Sequence, residues 1–379
     1  MGRPQSPDRG ARHRVRHVLF FAAIAAAQFG IFEIALRTWG SSEAAPAFQG
    51  LFEGDPRIGY RLKPRASVRF ATAEFETDIA INGAGVRDDE EIGPKQPDEK
   101  RIVVLGDSLV LSVQVPLAQT FGELLEKRLN ADTAAGRYRV INAGVQGYGP
   151  VEEALFFESL ADTVQPDLVL VTVFVGNDAE EAFQSFSKLG GPGSGGMVAA
   201  RDTLRTHLRR LVRRSMVLQV VRLRVNMVLG RLGFSLTPPE PPLQSYAASP
   251  APRIREGLAV ARRSIEHIMA TASRVNARTA VVLMPARFQV DDADYGRLKT
   301  AVANAGGELI RDAATERFEE ALAPVNVPRL DLLPVLRATL PGPDLFFQTN
   351  VHLTPHGHQV VADAIARLIR DHHLLTARD

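Results

Sequence analysis

From residue 101 onward, short apolar runs alternate with stretches of helical periodicity. The runs fall at 102–105, 138–141, 168–175, 279–284 and 327–332, with apolar positions at helical spacing near 121–129, 151–160, 254–273, 295–304 and 355–368. Uniformly apolar strands need cover on both faces, and strands spaced by helices predict a parallel sheet. Right-handed crossovers then build an α/β fold, a three-layer α/β/α sandwich.

Residues 40–100 lack a long helical pattern. Alternation at 67–70 and 75–81, with a turn signal at Asn82-Gly83, predicts a small β annex over 39–100. The charged, proline-containing stretch 90–100 reads as its linker to the core domain, 101–375.

The amino-terminal pattern differs again. Residues 1–17 hold Arg3, Arg9, Arg12, Arg14 and Arg16 against a single Asp8, and a nearly unbroken apolar stretch follows to Arg37 and Trp39. As one helix, 18–37 spans about 30 Å at ~1.5 Å per residue, the thickness of one hydrocarbon core. The arginines place 1–17 in the cytoplasm and 18–38 as a transmembrane signal anchor, so the inner membrane of a bacterium is an expected partner. A signal peptide cut near Ala25-Ala26-Ala27 is the competing reading, and a buried core helix a third. Both export readings put the remaining chain in the periplasm or at the cell exterior.

Residues 190–249 interrupt the strand-helix rhythm. Between a glycine-rich loop and a proline-rich one, residues 201–231 carry nine arginines and one aspartate, with Leu204, Leu208, Leu211 and Leu218 at helical spacing. This predicts an inserted helical cap, either a solvated lid or a face for anionic lipid or an acidic polymer.

Composition narrows the chemistry. The absence of cysteine excludes disulfides, thiolate zinc sites and cysteine nucleophiles, and the net charge of +2 argues against nucleic acid as a partner. Neither a metal nor a nucleotide cofactor is called for: Pro355 interrupts any shared helical face of His352, His356 and His358, and the glycines at 190–196 lack a P-loop ending.

Gly106-Asp107-Ser108 stands where the first run ends, at the carboxyl edge of the expected sheet, where open α/β folds do their chemistry. Serine needs a neighbouring base, and His352, after the last strand and just before Pro355, reaches the same edge. Gly147 and Asn177 follow the second and third runs and offer a backbone N–H and a side-chain amide to a developing oxyanion.

Gly106-Asp107-Ser108-Leu109, Asn142 to Gly147, Gly176-Asn177-Asp178 and His352 to His358 look like the four blocks of the SGNH (GDSL-type) hydrolases, in their order. The resemblance covers roughly 101–370 apart from the cap, and the anchor and annex resemble membrane-tethered bacterial members. It implies a flavodoxin-like sheet, Ser108 as nucleophile and oxyanion donor, Gly147 and Asn177 as the other donors, and His352 as base. One position departs from the pattern. The aspartate expected two or three residues before the histidine is replaced by Asn350 and Thr349. A backbone carbonyl, one of these side chains, or Asp344 from the same loop would have to orient the ring, or the site is weak. The implied function is a serine esterase that removes acyl, above all O-acetyl, groups from a carbohydrate. An O-acyltransferase and a binding module without activity are the alternatives.

Overall fold

The structure, a computed structural model, describes residues 28–30, 50–131, 137–189, 243–342 and 344–376. The expected tail and anchor, apart from 28–30, and the expected cap over 190–242 lie outside the described residues. Among the described residues, no helix is long and apolar enough to cross a membrane.

Two antiparallel hairpins come first: β1 (Phe52–Asp55) with β2 (Gly59–Leu62), and β3 (Ser67–Ala71) with β4 (Glu76–Ala80). Only the second follows the expected alternation. Asn82-Gly83 does not join two strands. It ends β4, where the Asn82 side chain accepts from the Ala84 N–H at 3.0 Å. The hairpins bury Leu51, Ile58, Leu62 and Ile79 in the same core as the main sheet, so the annex is packed onto the α/β layers.

The main sheet holds β5 (Glu99–Gly106), β6 (Arg137–Gly144), β7 (Leu168–Phe174), β8 (Arg278–Met284) and β9 (Arg329–Asp331), all parallel, in the order β6-β5-β7-β8-β9. That is the flavodoxin-like order, with the first strand between the second and third. Alternate residues of each strand point to opposite faces. Val103, Leu105, Val169 and Val171 pack with α3 (Pro150–Val164), α4 (Asp178–Leu189), α5 (Pro252–Arg274) and α8 (Ala313–Leu322). Ile102, Val104, Leu168 and Leu170 pack with α2 (Phe121–Leu129), α9 (Leu332–Ala338) and α10 (Pro355–Asp371). Short helices α1 (Ser108–Leu111) and α6 (Arg287–Val290) follow β5 and β8, and α7 (Asp292–Asn304) runs on from α6.

Several boundaries differ from the sequence expectation for identifiable reasons. The expected linker ends inside β5: Glu99 and Arg101 are buried as an ion pair of 2.9 Å, and Arg101 also donates to the carbonyls of Gly93 and Val164. The fifth run stops short because the Asp331 carboxylate accepts from the Leu333 N–H at 2.8 Å, capping α9. Residues 243–249, assigned to the cap, join the body, where the buried Tyr246 donates to the Gln289 side chain at 2.9 Å.

Candidate active site

Ser108 opens α1 immediately after β5. Asp107 caps that turn, its carboxylate accepting from the Leu109 N–H at 2.8 Å. Two glycines permit the packing. A Cβ on Gly106 would come within 2.4 Å of Val110, and one on Gly144 within 2.3 Å of the Leu111 nitrogen. The Asn142 side chain donates to the Val110 carbonyl at 2.7 Å, tying β6 to the serine turn. From the far side Arg87, buried, donates to the carbonyls of Leu111, Ser112 and Val115.

His352 meets this turn from the loop before α10. Its Nε2 lies 2.8 Å from Ser108 Oγ, across 244 residues of sequence. Its Nδ1 is hydrogen-bonded to Asn350 Oδ1. The same oxygen accepts from the His352 backbone N–H at 3.1 Å. A backbone N–H can only donate, so the amide oxygen, not the NH2, must face the histidine. Nδ1 therefore carries the proton, and the Nε2 lone pair faces the serine hydroxyl. Burial pushes the imidazole down to about 4, so the ring is neutral at ordinary pH.

Neither of the other residues considered for orienting the ring is hydrogen-bonded to it. Thr349 donates its N–H to Glu74 at 2.9 Å and its hydroxyl to the same carboxylate. Asp344 uses its backbone carbonyl to accept from the Thr354 hydroxyl at 2.5 Å. His358 is occupied elsewhere as well: its Nδ1 accepts from the Phe121 N–H at 3.2 Å and its ring stacks on Phe121.

Residues 246–379 match the family model described as SGNH hydrolase-like domain, acetyltransferase AlgX. That stretch, which includes His352, is thus similar to an SGNH hydrolase-like domain. A curated relative, the probable alginate O-acetylase AlgJ of Azotobacter vinelandii, is 26% identical over 106 residues, 28% of this chain and 26% of that protein. The match thus spans about a quarter of the relative's length. Among solved structures, TesA is similar with a TM-score of 0.40 and 13% identity, covering 72% of this chain and 99% of its own. A catalytic mutant of Axe2, an acetylxylan esterase from Geobacillus stearothermophilus, is similar with a TM-score of 0.39 and 11% identity, covering 71% and 94%.

The expected oxyanion donors follow β6 and β7. Gly147 is exposed, with φ of +73°, a conformation suited to glycine. Asn177 is half-buried just before α4. Its side-chain amide carries two N–H bonds that can be offered to an incoming oxygen.

A set of carboxyls unforeseen in the sequence lies inside the domain. Burial pushes Asp107 up to about 6 and Glu181 up to about 7. Glu153 and Asp178, fully buried beside them, are raised well above the ordinary carboxylate range by burial first and then by neighbouring carboxylate charge, Asp107 and Glu181 acting on both. Among the described residues, neither Glu153 oxygen has a hydrogen-bond partner, nor does Asp178 Oδ1. Unpaired carboxyls in such a place are held neutral.

Proposed function

We propose that this domain is a serine acyl-transfer enzyme that cleaves short acyl esters, O-acetyl groups above all, on carbohydrate. The observation that carries this reading is the contact of 2.8 Å between Ser108 Oγ and His352 Nε2, with Asn350 fixing the reactive tautomer. The Ser108 proton passes to Nε2 as Oγ bonds to the ester carbonyl carbon. The carbonyl oxygen takes the negative charge, facing the N–H groups of Gly147 and Ser108 and the Asn177 amide. Collapse breaks the bond to the alcohol, which leaves with the proton from Nε2. Water then gives a proton to Nε2 and attacks the acyl-serine; the C–Oγ bond breaks, the acid leaves, and Nε2 returns the proton to Ser108 Oγ.

A second reading replaces that water with a sugar hydroxyl. The AlgX-type family model and the resemblance to an alginate O-acetylase favour this acetyl transfer. The pattern over 18–37 supports an anchored domain acting outside the cytoplasm.

The test uses the full chain and a chromogenic acetyl ester, with and without oligosaccharide acceptors. Acetate release abolished by Ser108→Ala supports the serine mechanism. Acetylated oligosaccharide in the product identifies transfer. Activity equal in the parent and in Ser108→Ala overturns both.

A further inference from the structure

The annex contributes one side chain to the loop that carries Gly147. Tyr60, on β2, donates its hydroxyl to the Gln146 carbonyl at 2.7 Å. That carbonyl belongs to the central peptide of a β-turn, closed by the Tyr148 N–H on the Val145 carbonyl at 3.1 Å. Gly147, third in the turn, has φ of +73°, while Gln146 is not among the residues of positive φ. This is a type II turn. Rotating the central peptide by about half a revolution converts type II to type I, and glycine at the third position accepts both. In a trans peptide the C=O and the following N–H point to opposite sides. The bond from Tyr60 therefore selects which way the Gly147 N–H points. That N–H donates to no acceptor among the described residues.

We propose that Tyr60 is a positioning residue for acyl transfer: by holding the Gln146 carbonyl on the annex side, it aims the Gly147 N–H at the oxyanion. This rests on the serine mechanism above. Tyr60 is itself held. Its backbone carbonyl accepts from the Tyr148 hydroxyl at 2.6 Å, and its ring packs edge-on against Tyr148 and Phe52. A Cβ on Gly147 would approach the Tyr60 hydroxyl to 3.0 Å, so the glycine also keeps the hydroxyl's place open.

Tyr60→Phe keeps the ring and removes the bond. Loss of an oxyanion donor costs 10²–10³ in kcat, so loss of its aim is expected to lower kcat about tenfold, with KM unchanged. Affinity for an alkyl boronate, which mimics the tetrahedral state on Ser108, is expected to fall in parallel. Rates are taken per serine labelled by a fluorophosphonate, so unfolded protein does not imitate the effect. Should the variant fail to fold, 4-aminophenylalanine at position 60 supplies an N–H donor on the same ring and is expected to retain wild-type kcat. Unchanged kcat and boronate affinity in folded Tyr60→Phe, or a tenfold loss in the 4-aminophenylalanine protein, overturns the inference while Ser108→Ala remains inactive. If Ser108→Ala is as active as the parent, the underlying mechanism fails instead.

Discussion

The Asn350 side-chain oxygen accepts from both the ring Nδ1 and the backbone N–H of His352, and this double acceptance fixes the histidine tautomer. In a serine protease, replacing the triad aspartate by asparagine costs ~10⁴ in turnover, because the amide enforces the wrong tautomer. Here the backbone N–H forbids that amide orientation. What asparagine does not supply is charge to stabilise the imidazolium.

The pH profile follows from this. His352 must be neutral to accept the serine proton, and burial lowers it to about 4. We expect kcat/KM to be level at neutral pH and to fall below pH of about 4. Asn350→Asp places a negative charge beside Nδ1, so the acid limb moves upward. With the tautomer already correct, the gain in kcat is only the electrostatic part, about tenfold for each pKa unit of upward shift. A pH-rate profile of both proteins measures this; an unmoved limb counts against a charge-free ring partner.

Gly144→Ala tests how closely the serine turn is held. The new Cβ would lie 2.3 Å from the Leu111 nitrogen and 2.7 Å from the Val110 carbonyl carbon, both backbone atoms. The turn must shift by several tenths of an ångström or more. Misplacement by about 1 Å costs on the order of 10² in rate. We expect a loss of kcat of that order, with His352→Ala showing no further loss of the same size on top of it.

The sheet and the histidine were legible in the sequence, because apolar runs mark buried strands and Pro355 marks the start of α10. Arg87, Tyr60 and Glu74 were not. Each acts on backbone of a distant segment, as in the bonds from Arg87 to Leu111 and from Tyr60 to Gln146. Backbone donors and acceptors leave no residue-type signature, so no motif pairs the partners. Asn350 was visible as a departure from the family pattern. The double acceptance that makes it useful is a property of loop conformation, which composition does not encode.

Buried carboxyls make stability depend on pH. In the folded state Asp107 and Glu181 are raised to about 6 and about 7, and Glu153 and Asp178 are raised with them. The folded protein therefore keeps protons that the unfolded chain has already lost. This contribution is fully present below the ordinary carboxylate range, about pH 4, and is lost as pH rises through about 7. Glu153→Gln removes one titrating group and gives the cluster a donor. Thermal unfolding is expected to show the variant gaining on the parent at pH 8 and matching it more closely at pH 5. Equal differences at both pH values would contradict a protonated Glu153.

The annex also grips the histidine loop, through a contact that can be removed without disturbing the core. Glu74 lies in the turn between β3 and β4, and its carboxylate accepts both the N–H and the hydroxyl of Thr349. Beside it Phe75 packs on Phe347, their ring centres 5.4 Å apart. Those bonds to Thr349 hold the Glu74 carboxyl below its ordinary value. Because the pair faces solvent, its removal is expected to leave the unfolding temperature unchanged. Thr349 directly precedes Asn350, so loosening it broadens the positions available to the ring and its amide partner. Glu74→Ala is therefore expected to lower kcat several-fold, with wild-type unfolding. Glu74→Gln, which still accepts one bond, is expected to fall between. Parallel losses of kcat and of unfolding temperature would show instead that the turn supports the fold as a whole.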